Sequence, residues 1–229
     1  KRCYKMTVVH IVEPFATGIN TFIHELVFGL PNCEHIIVHG EREENRALSE
    51  IKKEYKNKAT FIKWQNAKRE INLVKDYNAY RELTKTLNEI SFDVLHLHSS
   101  KAGILGRVYA LLHGCKNVVY TPNGASFLRT DISNKQTQFF ETIEKLFSKM
   151  PGQIISSSKS EFTAFKTRNI YTKIIQNGVQ VEPGSRPVFT DGKTINIVSC
   201  GKITTQKNPE LFNKIANHFK GFPNYKFIW

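Results

Sequence analysis

The sequence predicts an α/β protein: a doubly wound, Rossmann-like parallel sheet followed by an incomplete second α/β domain. Short apolar segments alternate along the chain with segments in which apolar residues recur every three or four positions. Strands that alternate with helices in this way are typical of a doubly wound parallel sheet. The apolar segments show little polar alternation, as expected of strands that helices cover on both faces.

The first domain is expected to span residues 1–181. Its strands are predicted at 6–12, 34–39, 60–64, 93–97, 118–120, 153–157 and 172–175. Amphipathic helices are predicted at 18–30, 73–90, 104–112 and 139–150, because their apolar residues fall on one helical face. The heavily charged segment 41–58 is predicted to be a solvated helix with flanking loops.

The second domain is expected to begin at residue 194. Residues 182–193 contain two prolines and two glycines with little apolar content, which predicts an interdomain linker. Strands predicted at 195–200 and 225–229 flank a helix at 211–219. Since two strands and one helix cannot enclose a hydrophobic core, we expect this part to be the beginning of a domain.

The chain is strongly basic, with a formal net charge of +13. Nucleic acid, an anionic membrane surface or phosphorylated substrates would each suit that charge. The basic residues form no tract with interleaved aromatic residues and no nucleic-acid-binding motif is present, so nucleic acid is not an expected partner. The four cysteines are scattered, and no segment has the apolar length of a membrane span or a signal peptide. These features favour a cytoplasmic protein with reduced thiols.

Polar residues follow the strands of a central βαβ unit, residues 93–124. The run His98-Ser99-Ser100 ends one predicted strand, and Asn123-Gly124 ends the next. The carboxyl ends of parallel strands face a ligand crevice, so we expect the chemistry there. Walker, nucleophile-elbow and zinc-protease motifs are absent from the sequence.

Two features of this region have competing explanations. Gly18 begins a helix whose N-terminal amide groups suit a phosphate or a sugar hydroxyl, but a single glycine also suits a tight turn. His96 and His98 have the spacing of two metal ligands on one strand face, but no third ligand has a supporting spacing, so no metal is expected. His98 is favoured as a sugar contact or proton relay, and His96 as a hydrogen-bonded core residue.

Four segments of the chain resemble a known family. They are HIVEPFATGINTFIHELVFGL near the start, HLHSSKAGILGR with VVYTPNG in the central unit, IIQNGV before the predicted linker, and SCGKITTQKNP after it. In this order they resemble family 4 glycosyltransferases, especially those that build bacterial capsule and exopolysaccharide. The resemblance implies the two-domain GT-B fold, of which this chain would cover the N-terminal domain and the start of the C-terminal domain.

The resemblance also implies a reaction: retaining transfer of a sugar from a nucleotide-sugar donor to a lipid-linked saccharide acceptor, without cofactor or metal. His98 and Asn123 are the implied catalytic positions. Relatives often have histidine where this chain has Asn123, which is neither acid nor base near neutral pH, so the leaving phosphate would deprotonate the acceptor. The implied substrate-binding residues are Thr17, Gly18, Asn20, Ser99, Ser100, Lys101, Gly103, Gly124, Ser158, Asn177 and Gly178.

Three positions have a second explanation besides ligand binding. Ser158 or Ser160 is also a candidate cap for the helix that follows. Lys202 and Lys207 are the implied contacts to the donor diphosphate, where stabilising the leaving-group charge matters. Lys202 stands where the family usually has arginine, so it keeps the charge but loses the bidentate fork. Without the resemblance, two solvated lysines would be the preferred explanation.

We further expect peripheral attachment to an anionic membrane surface, because the chain is basic and Phe127-Leu128 lies in an apolar loop. The chain alone is expected to be inactive, because catalysis in this architecture needs a cleft closed by both domains. The alternative function is a non-catalytic basic α/β module that binds nucleic acid or a protein partner. That alternative predicts salt-sensitive binding to any polyanion.

Overall fold

The computed structural model describes residues 5–13, 15, 17–40, 48–68, 70–178, 194–201, 203–204 and 207–229. Contacts divide the chain into two compact units, one holding residues 1–129 and 134–179 and the other residues 130–133 and 180–229. The predicted linker at 182–193 lies outside the described residues. The predicted domain boundaries stay a prediction.

The first unit is organised on one sheet of seven strands. They are β1 (Thr7–Val12), β2 (Glu34–His39), β3 (Ala59–Lys63), β4 (Val94–His98), β5 (Val118–Thr121), β6 (Gln153–Ser156) and β7 (Lys173–Ile174). Their order across the sheet is β3-β2-β1-β4-β5-β6-β7, and every neighbouring pair is parallel. The order reverses direction between β1 and β4, which is the switch point of a doubly wound sheet.

Helices cover both faces of this sheet. They are α1 (Thr17–Gly29), α2 (Leu48–Glu54), α3 (Leu73–Asn88), α4 (Ser100–His113), α5 (Asn134–Phe147) and α6 (Lys159–Lys166), with a 3₁₀ turn at Ser126–Leu128. Val9 and Ile11 of β1 pack with residues of α3 and α4, whereas Val12 packs with residues of α1 and α2. Alternate residues of the central strand therefore enter two separate cores.

The sheet confirms the predicted fold class. Each strand predicted for the first domain is present within one residue of its predicted ends. The charged segment 41–58 is less solvated than predicted, because Ile51 and Tyr55 are 3% and 0% exposed. Both pack into the core that also contains residues of α1. The Tyr55 hydroxyl donates a hydrogen bond to Asn20 O at 3.1 Å. Residues 41–47 of this segment lie outside the described residues.

The second unit contains β8 (Ile195–Val198), α7 (Pro209–His218) and β9 (Tyr225–Ile228), and its two strands pair in parallel. Asn208 caps α7, since its side chain accepts a hydrogen bond from Leu211 N. Phe212 packs edge-on against Phe227 and Trp229. The strand–helix–strand order predicted for residues 195–229 is present.

A buried ion pair connects α4 to α5. Arg107 and Glu144 are 0% and 2% exposed, and Arg107 Nη2 lies 3.4 Å from Glu144 Oε2. The Tyr120 hydroxyl donates to Glu144 Oε1 at 2.8 Å, and the Arg107 guanidinium lies 4.2 Å from the centre of the Tyr120 ring. Burial raises the pKa of Glu144, while Arg107 opposes that rise. These contacts fix the position of the Tyr120 ring.

Helix α4 lies close to the sheet because glycines face the strands. A Cβ atom added at Gly103 would overlap the Tyr120 ring, and one added at Gly106 would overlap the Leu97 side chain. Gly103 is among the substrate-binding residues that the family resemblance implies. The structure gives its small size a different reason, which is the close packing of α4 on β5.

Gly103→Ala should lower the free energy of unfolding by about 1 kcal/mol or more. Overpacking costs about 1–3 kcal/mol, and overlap with several atoms of a fixed ring favours the upper part of that range, which exceeds a gain in helix propensity of ~1 kcal/mol. Urea denaturation measures the change. Gly29→Ala in α1 is the matched control, because among the described residues nothing beyond its neighbours and its own helix backbone lies within 4 Å of its added Cβ. Equal effects of the two substitutions would contradict the packing explanation.

Candidate active site at the carboxyl edge of the sheet

The predicted site residues of the first unit lie in connections that leave the carboxyl ends of the strands. Gly18 follows β1, Ser99 follows β4, Asn123 follows β5, Ser158 follows β6 and Asn177 follows β7. Because these strands are parallel, the connections emerge at one edge of one sheet. The amino termini of α1 and α4 lie at the same edge, beside the adjacent strands β1 and β4.

Gly18 occupies open space in the first turn of α1. Apart from the adjacent residues and the backbone of α1 itself, no heavy atom of the described residues lies within 4 Å of a Cβ atom added there, and the residue is part of the helix. Neither packing nor a tight turn therefore requires glycine, so the structure gives the tight-turn explanation no support. Amide groups at the N-terminus of a helix can bind a phosphate or a sugar hydroxyl where no side chain covers them. Thr17 begins the same helix.

Asn20 is turned into the protein. It is 8% exposed, and its amide oxygen accepts a hydrogen bond from the Tyr55 hydroxyl at 2.9 Å. This bond joins α1 to the residue that follows α2. The structure thus places Asn20 in a contact between elements, although the sequence analysis assigns it to the substrate.

Ser99 joins the connections that follow β1 and β4. Its hydroxyl donates a hydrogen bond to Glu13 O, and its N–H donates to Thr121 O at 3.3 Å. Its φ of 70° lies in the left-handed region, which is strained for a residue other than glycine. The Ser99 side chain does not cap α4. The serine therefore holds two loops together and leaves the start of α4 without a cap from its own side chain.

Ser100 and Lys101 contact neighbouring segments of the chain, including α3. Ser100 Oγ lies 2.8 Å from Ser126 Oγ. Lys101 Nζ donates to Asp76 Oδ1 at 2.6 Å and to Glu70 O at 2.5 Å. The Lys101 side chain is 13% exposed, so its charge is compensated mostly within the protein. A ligand phosphate at Lys101 would have to compete with Asp76.

The amide groups that follow β5 are bound by a carboxylate of the protein itself. Gly124 N and Ala125 N donate to Glu161 Oε1 at 3.0 and 3.1 Å. Ser157 donates to Glu161 Oε2 through its N–H at 2.8 Å and its hydroxyl at 3.1 Å. Glu161 is 3% exposed. The family resemblance assigns Gly124 to substrate binding. Its N–H group instead donates a hydrogen bond to a buried side chain of the protein.

Glu161 was not identified from the sequence, although a signal was present. Ser158 and Glu161 have the S-x-x-E spacing of a capping box at the start of α6. Ser158 Oγ accepts a hydrogen bond from Glu161 N at 3.1 Å, which confirms the predicted helix cap. The Glu161 side chain reaches Ser157 and the loop after β5, whereas a simple capping box returns to the N-cap N–H.

The other predicted residues that the structure describes follow strands β5 and β7 or lie in the second unit. The side-chain amide of Asn123 donates to the carbonyl oxygen two residues earlier at 3.3 Å, and its φ of 54° turns the chain after β5. Asn177 and Gly178 follow β7 and are exposed. Lys207 is exposed in the second unit, and Lys202 lies outside the described residues.

A row of histidines on β1, β2 and β4 is termed the histidine cluster: His10, His35, His96 and His98. His10 Nδ1 lies 3.1 Å from His98 Nε2, and His10 Nε2 lies 3.1 Å from His35 Nδ1. Sequence reasoning identified only the pair on β4. His10 and His35 each stand alone in their strands, and only the register between strands brings them to the others.

Burial keeps these imidazoles neutral. It is the largest cause of the lowered pKa of His10 and of His98, ahead of the neighbouring histidines, and it lowers the pKa of His96 to about 3. His98 is 0% exposed, so it does not reach the open edge directly, and its lowered pKa makes it a poor general base near neutral pH. His96 Nε2 lies 2.9 Å from Thr121 Oγ1, as expected of a hydrogen-bonded core residue.

A doubly wound parallel sheet with helix amino termini at its switch point defines a Rossmann-like ligand-binding unit. Comparison with known proteins gives the family. Residues 44–175 match the Glycosyl transferase 4-like family. The chain belongs to this family.

Two curated relatives agree with this assignment. The UDP-Gal:alpha-D-GlcNAc-diphosphoundecaprenol alpha-1,3-galactosyltransferase of Escherichia coli is 28% identical over 166 residues, or 66% of this chain and 42% of the relative. An uncharacterized 41.2 kDa protein in the cps region of Klebsiella pneumoniae is 28% identical over 184 residues, or 77% of this chain and 48% of the relative. The chain thus spans less than half the length of these relatives. The predicted resemblance to family 4 glycosyltransferases of the capsular type is confirmed.

Solved structures share the fold. A sucrose-phosphate synthase of Thermosynechococcus elongatus matches 98% of this chain and 62% of its own with a TM-score of 0.65 at 12% identity. A UDP-GlcNAc 2-epimerase of Neisseria meningitidis matches 98% of this chain and 65% of its own with a TM-score of 0.60 at 15% identity. At these identities the likeness concerns the fold alone. In the described part of the chain, no helix has both the length and the apolar character needed to cross a membrane.

Glu161→Ala should lower the free energy of unfolding by about 2 kcal/mol or more. The substitution leaves amide and hydroxyl donors around the former carboxylate without their acceptor, and each buried unpaired donor costs about 1–3 kcal/mol. Amide hydrogen exchange at Gly124 and Ala125 should also become faster. Lys159→Ala, at an exposed position of the same helix, is the control and should change neither quantity. Unchanged exchange at Gly124 in Glu161→Ala would show that the carboxylate does not hold this loop.

Proposed function

We propose that the chain forms the acceptor side of a retaining glycosyltransferase that moves a sugar from a nucleotide-sugar donor to a lipid-linked saccharide in surface-polysaccharide synthesis. Family membership supports glycosyl transfer and weighs against the non-catalytic alternative. The name of the Escherichia coli relative supports a UDP-linked donor and a diphosphoundecaprenol-linked acceptor. The cps region of the Klebsiella relative supports a role in capsule synthesis.

The open space at Gly18 is the observation on which the site assignment depends. Gly18 lies in the first turn of α1, which follows β1. One neighbour of β1 in the sheet is β4, which leads into α4. Helix amino termini attract phosphate and other anions through free amide groups and the helix dipole. The bond from Ser99 to Glu13 O holds the two connections together. The acceptor diphosphate or a sugar hydroxyl would bind at this paired helix start.

The chemistry proposed for the site needs no protein base in the first unit. His98 is neutral and enclosed, and Asn123 cannot take up a proton near neutral pH. The phosphate that leaves the donor would accept the proton of the acceptor hydroxyl on the same face of the sugar, which retains the configuration. Lys207 of the second unit is an exposed cation available for the donor diphosphate, a role that stays a prediction.

Gly18→Leu should weaken acceptor binding by at least about 10-fold and leave the fold intact. A leucine side chain would fill the open space over the helix amide groups, and 1.4 kcal/mol of lost contact already equals a tenfold change in affinity. Binding of a short-chain polyprenyl-diphosphate N-acetylglucosamine is measured by calorimetry. Transfer of sugar from UDP-galactose to the same acceptor is then measured with the gene product that contains this chain.

Gly29→Leu is the matched control, because Gly29 lies at the other end of α1 and an added Cβ there also meets no other described segment within 4 Å. It should leave binding and transfer unchanged. Equal binding by the wild type and Gly18→Leu would remove α1 from the site. Absence of transfer from every UDP- and other nucleotide-linked sugar, with acceptor binding intact, would contradict the reaction itself.

Peripheral membrane attachment is part of the proposal, but the residues expected to contact the membrane differ from those predicted from the sequence. Phe127 is 3% exposed and packs edge-on against Phe165, so it offers no surface to a membrane; Leu128 is 40% exposed. The first residues of α3 expose far more apolar surface than this pair does. Leu73 and Val74 are 88% and 70% exposed, and α3 begins after β3, at the same edge as the site. A lipid-linked acceptor would reach this edge from a membrane surface.

The double substitution Leu73→Ser and Val74→Ser should reduce recovery of the chain with anionic vesicles in flotation at low salt. The wild type should float with vesicles rich in phosphatidylglycerol and less with neutral phosphatidylcholine, since each basic residue near an anionic surface contributes about 1 kcal/mol. Leu111→Ser with Leu112→Ser is the control, because these residues are exposed near the far end of α4. Equal recovery of the wild type with neutral and anionic vesicles would rule out electrostatic attachment.

A further inference from the structure

The histidine cluster lies on one face of the sheet, although its members are far apart in sequence. His10 is directly paired with His96 in the register of β1 and β4, and Val8 is paired with His35 in the register of β1 and β2. Residues two apart on a strand share a face, so His35, His10, His96 and His98 point to the same side. Phe22 of α1 packs edge-on against the rings of His96 and His98.

We propose that His10, His96 and His98 bind one Zn²⁺-like transition-metal ion beneath α1. One nitrogen atom from each of these histidines lies within 4.8 Å of the other two. His10 Nδ1 and His98 Nε2 are already 3.1 Å apart. Two nitrogens bound tetrahedrally at about 2.0–2.1 Å from zinc are about 3.3 Å apart, so this pair needs little rearrangement. The proposal concerns a site separate from the acceptor and goes beyond the proposed function.

The surroundings of His10 and His96 are those of metal-bound imidazoles. A ligating histidine usually uses its second nitrogen for a hydrogen bond that orients the ring. His10 Nε2 is 3.1 Å from His35 Nδ1, and His35 Nε2 is 3.2 Å from Leu30 O. His96 Nε2 is 2.9 Å from Thr121 Oγ1. The rings of His10 and His96 thus each have a hydrogen-bond partner that is not itself a proposed ligand, and this partner can hold the ring in position.

The positions of the protons also allow an ion to bind. Leu30 O can only accept, so His35 donates from Nε2, and its Nδ1 accepts from His10 Nε2–H. His10 Nδ1 then accepts from His98 Nε2–H. Among the described residues, His98 Nδ1 is a buried nitrogen with no hydrogen-bond partner. The proton of His98 can therefore move from Nε2 to Nδ1, which frees Nε2 and His10 Nδ1 for the ion without removing a proton from the cluster.

The chemical class of the ion follows from the donors. Three imidazole nitrogens suit Zn²⁺, Co²⁺, Ni²⁺ or Cu²⁺, whereas Mg²⁺ and Ca²⁺ prefer oxygen. The fourth tetrahedral position would take water or a small anion. The ion would connect β1 to β4, the two strands from which the helix termini of the candidate active site arise. The spacing of histidines along β4 alone predicts no metal, because the third ligand, His10, lies on another strand and 88 residues before His98.

Titration of the chelator-treated chain with Co²⁺ tests the proposal. We expect one equivalent to bind, with the visible absorption of tetrahedral cobalt, and Zn²⁺ to displace it and raise the melting temperature. His96→Gln and His98→Gln should each weaken Co²⁺ binding at least ~10-fold. His218→Gln, a histidine of the second unit, is the matched control and should bind like the wild type.

Several outcomes would overturn the proposal. They are no one-to-one complex of the wild type with Co²⁺ or Zn²⁺, unchanged affinity in both cluster variants, and the thiolate charge-transfer band of cobalt bound by cysteine. A glutamine variant that fails to fold gives no information on binding, so nitrogen NMR of the wild type provides a second measurement. Zn²⁺ should shift His10 Nδ1 and His98 Nε2 together, and unchanged imidazole resonances at saturating Zn²⁺ would exclude the cluster as the site.

Discussion

The parallel pairing of β1 with β4 is the constraint on which the rest of the first unit depends. It places Val12 beside His98 and His10 beside His96, at the point where the strand order reverses. Helices α1 and α4 start from these two neighbouring strands, so both helix termini reach one edge. The same pairing brings the histidines of β1 and β4 into contact on the face below α1. The candidate active site and the candidate metal site thus depend on one register.

Several polar groups at this edge bind one another and so connect the loops around Gly18 and the start of α4. The Ser99 hydroxyl holds the loop after β1, Lys101 pairs with Asp76, and Glu161 binds the N–H groups of Gly124 and Ala125. A cavity of about 490 Å³ lies elsewhere, where Cys33 and Lys58 are among its lining residues. It contains none of the predicted site residues, and ligands of parallel α/β sheets bind at the carboxyl edge.

Sequence patterns predicted the strands well because each is a compact apolar run, and the edge followed from their parallel order. The use of individual polar groups could not be predicted, because it depends on partners distant in sequence. Nothing near Gly124 in the sequence indicates that a glutamate 37 residues later binds its amide group. Likewise Phe127 looks exposed in its loop, but Phe165 and Arg168 cover it. His10 gave no signal until the register placed it beside His96.

The central claim is that an acceptor binds where α1 and α4 begin. The most direct measurement is amide chemical-shift mapping of the labelled chain during titration with a short-chain polyprenyl-diphosphate N-acetylglucosamine. The account predicts that the largest changes occur at Gly18, Ser100 and Lys101, with little change at Cys33 and Lys58. Changes confined to the cavity around Cys33 and Lys58, or an absence of changes at saturating acceptor, would contradict it.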